Sequence, residues 1–425
     1  MSTPTNPSIH SLVQAAGNAA SQGHWDEAER LWKQILSIDP RHPEALYSAG
    51  VHAYKRGQLA EALTLLTQAN AVAPNKTTVL LSIAFVLRDQ GNAVGEMQAI
   101  EAALAADPYF LHGLLAKANA LERLGQAGQA VKTYRNALKI VPNESQWPTS
   151  LRSQLIHGRS QVQRYGLQLA EFLGQSMGTR IDALHPAEAE RWREVGAILS
   201  GQSPHYPSVC STLQVPRLPA IPFFNRSDFD WVEALEARTE SITHEMTAAM
   251  KQQSADFQPY IAYPPGTPVN QWQELNHSKR WSSYFLWRNG QPQHDHLISC
   301  PETAKALTDV QMADIDGLCP NAMFSALSPH SHIPPHHGET NARLVVHLPL
   351  IVPDHCQYRV GFEKRSWKVG EVLIFDDSIE HEARNDSDEL RVVLIFDVWN
   401  PLLSLAERDM VRAVSTATRE FQFSN

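Results

Sequence analysis

Three residues in the last quarter of the chain have the types and the spacing of a site for a metal ion and an anion. His336 and His381 each stand where an apolar run meets polar residues, and Arg391 opens the apolar run RVVLIFDVW ten residues after His381. Two imidazoles on neighbouring strands commonly hold a first-row metal, and a guanidinium can bind a carboxylate through two hydrogen bonds. We therefore expect a pocket that binds a metal ion together with an anionic co-substrate.

The residue types alone leave two interpretations of the histidine pair. A carboxylate two residues after His336 would complete the familiar iron triad, but Gly338 stands there. Glu380 and Glu382 flank His381 and would point away from it in an extended strand. The pair thus either holds an iron completed by water or holds no metal. Zinc is less favoured, because a structural zinc takes four ligands and no cysteine is close in the sequence.

Arg391 also has an alternative role. Asp386, Asp388 and Glu389 precede it within a few residues. A surface ion pair with one of these carboxylates is as compatible with the spacing as a buried site for a co-substrate carboxylate.

The elements that must position these residues are short strands. Apolar runs such as RLVVHLPL, EVLIFDD and RVVLIFDVW alternate with turn-forming clusters, which is typical of an antiparallel β-barrel. We predict a double-stranded β-helix, or jelly roll, with flanking helices over residues 219–425. Residues 176–218 contain a short helix and then many prolines, and they are predicted to connect two domains. The run His294-Asp295-His296 is interpreted as a solvated loop and not as a metal site.

The N-terminal part of the chain repeats with a period of 34 residues. Pro40, Pro74, Pro108 and Pro142 keep this spacing, and so do Gly23, Gly57, Gly91 and Gly125. Glycine in a turn between two helices and proline after the second helix, at this period, resemble the tetratricopeptide repeat. We predict an all-α solenoid over residues 1–175, with repeats at about 7–40, 41–74, 75–108 and 109–142, followed by a capping helix.

Composition limits the partners and the compartment. The formal net charge is −9 and the chain has no long Lys/Arg run, so no nucleic-acid partner is expected. No apolar stretch approaches the length of a membrane span. The N-terminal sequence MSTPTNPSIHSLVQAAG lacks the pattern of a secretory signal, and the four cysteines form no CxxC pair. We expect a cytoplasmic protein with reduced thiols.

The stretch 320–401 resembles the aspartyl/asparaginyl β-hydroxylase family of iron- and 2-oxoglutarate-dependent oxygenases. The resemblance is carried by PPHHGETNARL, HLPL, GEVLIFDDSIEHEARN and RVVLIFDVWNP, and it extends more weakly back to Pro219. Members of this family lack the triad carboxylate and have glycine at the position of Gly338. The resemblance implies an enzyme that uses Fe(II), 2-oxoglutarate and O2 to hydroxylate an unactivated carbon.

The resemblance also implies roles for individual residues. His336 and His381 match the two iron ligands. Arg391 matches the arginine that holds the distal carboxylate of 2-oxoglutarate. Ser325 stands where a serine assists that carboxylate, and His347 where a histidine supports the co-substrate.

On the substrate side, Arg343 matches an arginine beside the substrate pocket, whereas Val345 replaces a second arginine of the animal enzymes. The implied substrate is the β-carbon of Asp or Asn in a peptide or protein that the helical repeats recruit. Three alternatives remain: a lipid or small-molecule hydroxylase on the same barrel, an inactive barrel carried by a binding protein, and repeats that serve only as a scaffold.

Overall fold

The structure is a computed structural model that describes residues 8–424. Residues 1–7, which begin the predicted solenoid and its first repeat, lie outside the described residues, as does Asn425 at the end of the predicted barrel domain. The described chain forms two compact units, residues 8–184 with Val195–Gln202, and His185–Glu194 with residues 203–424. Among these residues, no helix combines the length and the apolar character needed to cross a membrane.

The first unit begins with four antiparallel helix pairs. They are α1 (Ile9–Ser21) with α2 (Trp25–Ile38), α3 (Pro43–Lys55) with α4 (Leu59–Val72), α5 (Thr77–Asp89) with α6 (Ala93–Ala106), and α7 (Leu111–Arg123) with α8 (Ala127–Ile140). The repeated glycines lie between the helices of each pair with φ between 72° and 80°, where an L side chain would be strained. Each repeated proline stands two residues after the second helix ends, because proline cannot continue a helix. The predicted helical solenoid is confirmed.

The last helix pair is covered by α9 (Arg152–Asp182), which is longer than the predicted capping helix. Tyr134 of α8 is fully buried, and its hydroxyl oxygen lies 2.5 Å from Asn119 Oδ1 and 2.7 Å from Glu122 Oε2. Gly158 of α9 faces the Tyr134 ring, because a Cβ at this glycine would lie 2.6 Å from a ring carbon. The absence of a side chain at Gly158 lets α9 approach α8 closely.

The second unit combines helices with eleven strands among the described residues. After α10 (Pro186–Ser200), its helices are α11 (Val232–Glu236), α12 (Thr239–Gln252), α13 (His294–Ser299), α14 (Pro301–Thr308) and α15 (Leu405–Ser424). Its strands are β1 (Gln258–Pro259), β2 (Trp281–Arg288), β3 (Gln291–Pro292), β4 (Ala322–Leu327), β5 (Ser331–His336), β6 (Arg343–Ile351), β7 (Cys356–Val360), β8 (Glu363–Arg365), β9 (Leu373–Phe375), β10 (His381–Asn385) and β11 (Arg391–Trp399).

The strands form two antiparallel sheets. The large sheet has the order β1-β2-β4-β11-β6-β9, with β3 paired to β2, and the small sheet has the order β5-β10-β7-β8. The eight strands β4–β11 therefore divide equally between the sheets, which is the division that the predicted jelly roll requires. The prediction of a helical solenoid followed by a sheet-rich domain with flanking helices is confirmed.

The two faces of the large sheet have different neighbours. Alternate residues of β6 and β11 pack with α12 in the main apolar core; they are Leu344, Val346, Leu348, Val392, Leu394 and Phe396. Because side chains alternate along a strand, the remaining residues of both strands face the opposite side, where the large sheet meets the small one. Polar residues in these otherwise apolar strands thus share one face.

One part of the second unit differs from the sequence interpretation. The His294–His296 run forms the short helix α13 and not a loop, because the His296 ring stacks on Tyr284 at 3.9 Å and its Nδ1 lies 2.6 Å from the Phe285 carbonyl oxygen. Residues 203–218 lie within this unit, since the Val209 amide donates to the Ser378 carbonyl at 2.8 Å. The domain limits at 175, 218 and 219 remain predictions.

The contact between Gly158 and Tyr134 predicts opposite effects of one substitution at two positions of α9. Gly158→Ala should lower the free energy of unfolding by about 1–3 kcal/mol, because the buried Tyr134 ring has to move. Gly174→Ala is the matched control; a Cβ there meets no atom within 4 Å, so the higher helix propensity of alanine should stabilise α9 by up to about 1 kcal/mol. Thermal unfolding followed by circular dichroism measures both. Equal effects at the two positions would contradict the packing described for α8 and α9.

Candidate functional site

A cavity of about 460 Å³ lies between the two sheets of the second unit. All six residues predicted from the sequence to form the site contribute to its wall: Ser325, His336, Arg343, His347, His381 and Arg391. They come from β4, β5, β6, β10 and β11, and the two from β6, Arg343 and His347, are an even number of residues apart and share one face of that strand. The structure therefore brings the predicted residues together, and the alternation of the strands is the physical reason.

His336 and His381 lie opposite each other on the paired strands β5 and β10, and their ring centroids are 4.0 Å apart. His336 Nδ1 lies 2.8 Å from the Pro334 carbonyl oxygen, and His381 Nδ1 lies 3.0 Å from the Ile379 carbonyl oxygen. Because a carbonyl can only accept, Nδ1 carries the proton in each hydrogen bond. The lone pair of each ring is then on Nε2, and the hydrogen bond fixes the ring in the way that metal-binding histidines require.

Burial keeps both imidazoles neutral. Desolvation, followed by the proximity of His381, lowers the pKa of His336 to about 3. Desolvation is also the main cause that lowers the pKa of His381 to about 4. Neutral imidazole is the form that binds a metal, so the pair is ready to act as ligands at neutral pH.

The backbone at Gly338 leaves no space for a third ligand from that position. A Cβ on Gly338 would lie 2.2 Å from Asp377 Oδ2, so the Asp377 carboxylate already fills the place of a side chain. Throughout residues 8–424, no three His, Cys, Asp or Glu side chains are grouped as metal ligands. The donor set of two oriented imidazoles fits a metal ion that keeps its other positions for water and exogenous ligands.

Arg391 is a buried cation that forms no ion pair with any carboxylate of the described residues. It is 1% exposed, and burial lowers its pKa to about 10, so it stays charged at neutral pH. Its Nη1 lies 3.4 Å from the Ser325 carbonyl oxygen, its guanidinium lies 4.9 Å from the Trp367 ring centroid, and its Nε has no hydrogen-bond partner within residues 8–424. The alternative of a surface ion pair with the acidic residues before β11 is wrong, because Arg391 is not at the surface.

Ser325 and His347 are oriented by two tryptophans. Trp281 Nε1 donates to Ser325 Oγ at 3.1 Å, and Trp367 Nε1 donates to His347 Nδ1 at 3.2 Å. His347 must then carry its proton on Nε2, and burial together with the charge of Arg391 lowers its pKa well below the usual value. The Ser325 hydroxyl and His347 Nε2–H remain as donors beside the guanidinium. Donors of this kind bind a carboxylate.

Arg343 lies toward the other end of the cavity, where three carboxylates surround it. Its Nη1 is 2.8 Å from Asp377 Oδ1, its Nε is 3.3 Å from Asp397 Oδ1, and its Nη2 is 3.5 Å from Glu339 Oε2. Val345, two residues along β6, is 8% exposed and also lines the cavity. The charge of Arg343 is thus neutralised by the chain itself.

An aromatic wall completes the cavity beside His336. The Tyr260 ring stacks on Trp281 with centroids 4.1 Å apart, and the Trp272 ring meets His336 edge-on at 4.9 Å. Phe285 continues the wall. The run WSSYFLW supplies both Trp281 and Phe285, and its alternate residues share one face of β2.

Sequence reasoning missed four residues that determine the environment of the site: Trp281, Trp367, Asp377 and Asp397. Asp397 is six residues after Arg391, and because side chains alternate along β11, its position on the same face could have been expected. Trp367 lies between β8 and β9, so no strand pattern indicated its role.

The fold and the site define a class of protein: a helical solenoid and a sheet-rich domain whose cavity can hold a metal ion through two histidines and an anion through a buried arginine. Comparison with known families is in accord with this class. Residues 236–401 match the Aspartyl/Asparaginyl beta-hydroxylase family, and residues 19–84 match the tetratricopeptide repeat. Over residues 236–401 the chain is therefore similar to the aspartyl/asparaginyl beta-hydroxylases, and over residues 19–84 it is similar to tetratricopeptide-repeat proteins.

Individual relatives cover parts of the chain. The aspartyl/asparaginyl beta-hydroxylase of Mus musculus is 26% identical over 310 residues, which are 68% of this chain and only 39% of the mouse protein. The ornithine lipid ester-linked acyl 2-hydroxylase of Rhizobium tropici is 34% identical over 199 residues, 46% of this chain and 66% of that protein. A solved tetratricopeptide-repeat protein of Thermus thermophilus aligns with 45% of this chain and 100% of its own, at 17% identity and a TM-score of 0.32. The chain thus spans well under two thirds of the length of the mouse protein and about two thirds of the Rhizobium tropici protein.

The space at Gly338 gives a testable prediction. Gly338→Ala should lower the free energy of unfolding by about 1–3 kcal/mol, because the Asp377 carboxylate must leave its place and its ion pair with Arg343 must be rebuilt. Thermal unfolding of the full chain measures this loss. In the double variant with Asp377→Ala, the loss of unfolding free energy should be smaller than the sum of the losses of the two single variants, since the second change removes the group that clashes. Additive losses would show that the two positions do not compete for the same space.

Proposed function

We propose that the sheet-rich domain is an Fe(II)- and 2-oxoglutarate-dependent dioxygenase that hydroxylates an unactivated carbon, the β-carbon of Asp or Asn in a peptide or protein. The observation that carries this proposal is Arg391, a buried and charged guanidinium that no carboxylate of the described residues neutralises. A buried ion without a partner costs several kcal/mol. An anionic ligand that pairs with Arg391 recovers this free energy, so the cavity favours an anion at that position.

A dicarboxylate such as 2-oxoglutarate matches the distribution of donors and ligands. Its distal carboxylate would bind Arg391, with the hydroxyl of Ser325 and Nε2–H of His347 as further donors. Its keto-acid end would then be directed toward the histidine pair, where a metal can bind it. Trp281 and Trp367 hold these donors in place through the hydrogen bonds that they give to Ser325 and His347.

His336 and His381 would hold the iron, and its other coordination positions would be taken by water and by exogenous ligands. Bound iron supplies the activation of O2 that hydroxylation of an unreactive C–H bond requires. The contribution of the chain is to orient the ligands and to keep bulk water from the reacting carbon. The aromatic wall of Tyr260, Trp272 and Trp281 lies beside His336 and suits this exclusion of water.

The tetratricopeptide repeats would recruit the substrate protein. Stacked helix pairs form an extended surface on which a peptide can lie, and binding of proteins is the usual role of such repeats. A substrate bound at two places gains affinity from the link between them. In this proposal the repeats set the choice of partner, and the cavity sets the choice of side chain.

A lipid hydroxylase is the second candidate function. The observation that favours it is the 34% identity with a relative whose name describes acyl hydroxylation of an ornithine lipid. Recruitment by peptide-binding repeats has no evident use for a lipid substrate, so we place this candidate second. An inactive barrel is the third candidate, and the following experiment separates it from the other two.

Turnover of 2-oxoglutarate to succinate, measured with Fe(II) and O2, tests the catalytic proposal. His381→Ala should lower the rate at least about 100-fold, because one of two metal ligands is lost.

Arg391→Met should weaken 2-oxoglutarate binding by about 2–5 kcal/mol. It should leave thermal stability unchanged or higher, since an unpaired buried charge is replaced by an apolar chain.

Two surface variants serve as controls for these changes. His330→Ala and Arg384→Met remove residues whose side chains are 66% and 46% exposed, and both should keep the parent rate. If the parent protein binds no iron and forms no succinate, or if His381→Ala behaves like the parent, the barrel is an inactive scaffold and the proposal is wrong.

Comparison of the full chain with a variant that begins at His185 tests the role of the repeats. The shortened chain should keep succinate formation in the absence of substrate, provided that its thermal unfolding shows a folded domain. It should lose most of the stimulation that a lysate protein fraction gives to the full chain, because the linked second binding site is gone. Equal stimulation of both chains would reduce the repeats to a scaffold. Stimulation by lipid extract and not by protein would favour the lipid hydroxylase.

A further inference from the structure

We infer that the Arg343 end of the cavity selects a substrate side chain that ends in a primary amide and rejects one that ends in a carboxylate. This inference rests on the proposed function and decides between the two side chains named there, in favour of Asn. Three features of the described residues support it: the engagement of Arg343, the excess of carboxylates, and the unused hydrogen-bonding groups of the cluster.

Arg343 is not available to a substrate carboxylate. Its side chain is 6% exposed and lies within 4.0 Å of Asp377, Asp397 and Glu339. A substrate carboxylate would have to displace Asp377 or Asp397, and the displaced group would remain buried without its partner. Breaking a buried pair in this way is strongly unfavourable, because it leaves an uncompensated buried charge. Val345, which stands where the animal enzymes have a second arginine, supplies no further cation to this end of the cavity.

The carboxylates outnumber the cation at this end. Asp397 is fixed as an acceptor by Asn321. The backbone N–H of Asn321 donates to Asp397 Oδ2 at 2.7 Å, and the side-chain Nδ2 of Asn321 donates to the same oxygen at 3.1 Å. Asp377 and Glu339 face the same guanidinium. Burial raises the pKa of both Asp397 and Glu339, which reflects how poorly this environment accepts negative charge. A further carboxylate from a substrate would increase the excess.

The other arginines on the cavity wall do not offset this excess. Arg391 is at the end proposed for the co-substrate. Arg288 ends β2, is exposed, and lies over the Phe285 ring with 4.9 Å between its guanidinium carbon and the ring centroid. Because water screens an exposed charge, Arg288 can meet the outer part of a substrate but does not neutralise a carboxylate buried against Asp377.

The unused hydrogen-bonding groups match an amide. Arg343 Nε, Arg343 Nη1 and Asp377 Oδ1 are buried and, in spite of the ion pairs, have no aligned hydrogen bond among the described residues. The carboxylates of the cluster thus keep acceptor capacity that Arg343 does not use. A primary amide has two N–H donors, so its NH2 can donate to these carboxylates without displacing them from Arg343, whereas a carboxylate only accepts.

Two peptide libraries test the inference on the full chain. They are degenerate nonapeptides that differ only in a fixed central Asn or Asp, and mass spectrometry measures the oxygen added. The Asn library should be hydroxylated at least about tenfold faster, because a carboxylate leaves the acceptor on Asp377 without a donor. Asp377→Asn and Val345→Arg should each shift the ratio toward Asp. Glu382→Gln, which alters a carboxylate bound to Arg359 on the small sheet, should leave the ratio unchanged.

A binding measurement separates this inference from the proposed function. N-acetylasparagine amide and N-acetylaspartate amide are titrated separately into the full chain, and their dissociation constants are compared by calorimetry. Tighter binding of the Asn compound supports the inference, even if neither library is hydroxylated. Absence of hydroxylation of both libraries would contradict the proposed peptide hydroxylation and not the inference. Equal or tighter binding of the Asp compound, or faster hydroxylation of the Asp library, overturns the inference.

Discussion

Two arginines with buried guanidinium groups lie on the inner face of the large sheet, and the protein neutralises only one of them. Arg343 has carboxylate oxygens at 2.8, 3.3 and 3.5 Å, whereas Arg391 has a backbone carbonyl and the face of a tryptophan ring. A guanidinium that is taken out of water needs a compensating anion. The cavity therefore has one end whose charges are satisfied within the chain and one end that requires a ligand.

This difference depends on the regular alternation of the strands. Outward-facing residues of β6 and β11 form a continuous apolar core with α12, and this core holds the two strands rigidly. The same alternation directs Arg343, Val345 and His347 to the cavity from β6, and Arg391, Ile395 and Asp397 from β11. The apolar face thus supplies the stability that offsets the burial of charged groups on the polar face. The site is a consequence of the sheet and not an addition to it.

The sequence was sufficient for those features that depend on local patterns. The solenoid follows from the 34-residue spacing of Gly and Pro, because each helix pair is a local unit and the same turn recurs. The histidines and Arg391 could be named as candidates because they lie at strand ends, where alternation and residue type are both visible, although the spacing left a surface ion pair equally open for Arg391. Ser325 and His347 were found only through the family resemblance.

The neighbours of these residues could not be predicted, for a physical reason. The contact of Arg343 with Asp397 depends on the register between β6 and β11, in which Val345 lies opposite Asp397. A shift of one residue would turn these side chains to the opposite face. Trp367 reaches His347 from a segment without regular structure. Such contacts are set by the assembled sheets and leave no pattern in the sequence.

The space at Gly338 affects the groups at both ends of the cavity. The Asp377 carboxylate fills the space that a side chain at Gly338 would need, and the same carboxylate binds Arg343 at 2.8 Å. A side chain at residue 338 would therefore disturb both the surroundings of the histidine pair and the neutralisation of Arg343. The two-histidine donor set and the engaged arginine are parts of one arrangement, because each depends on where Asp377 lies. A change of ligand number at one end of this cavity cannot be made without changing the electrostatics of the other.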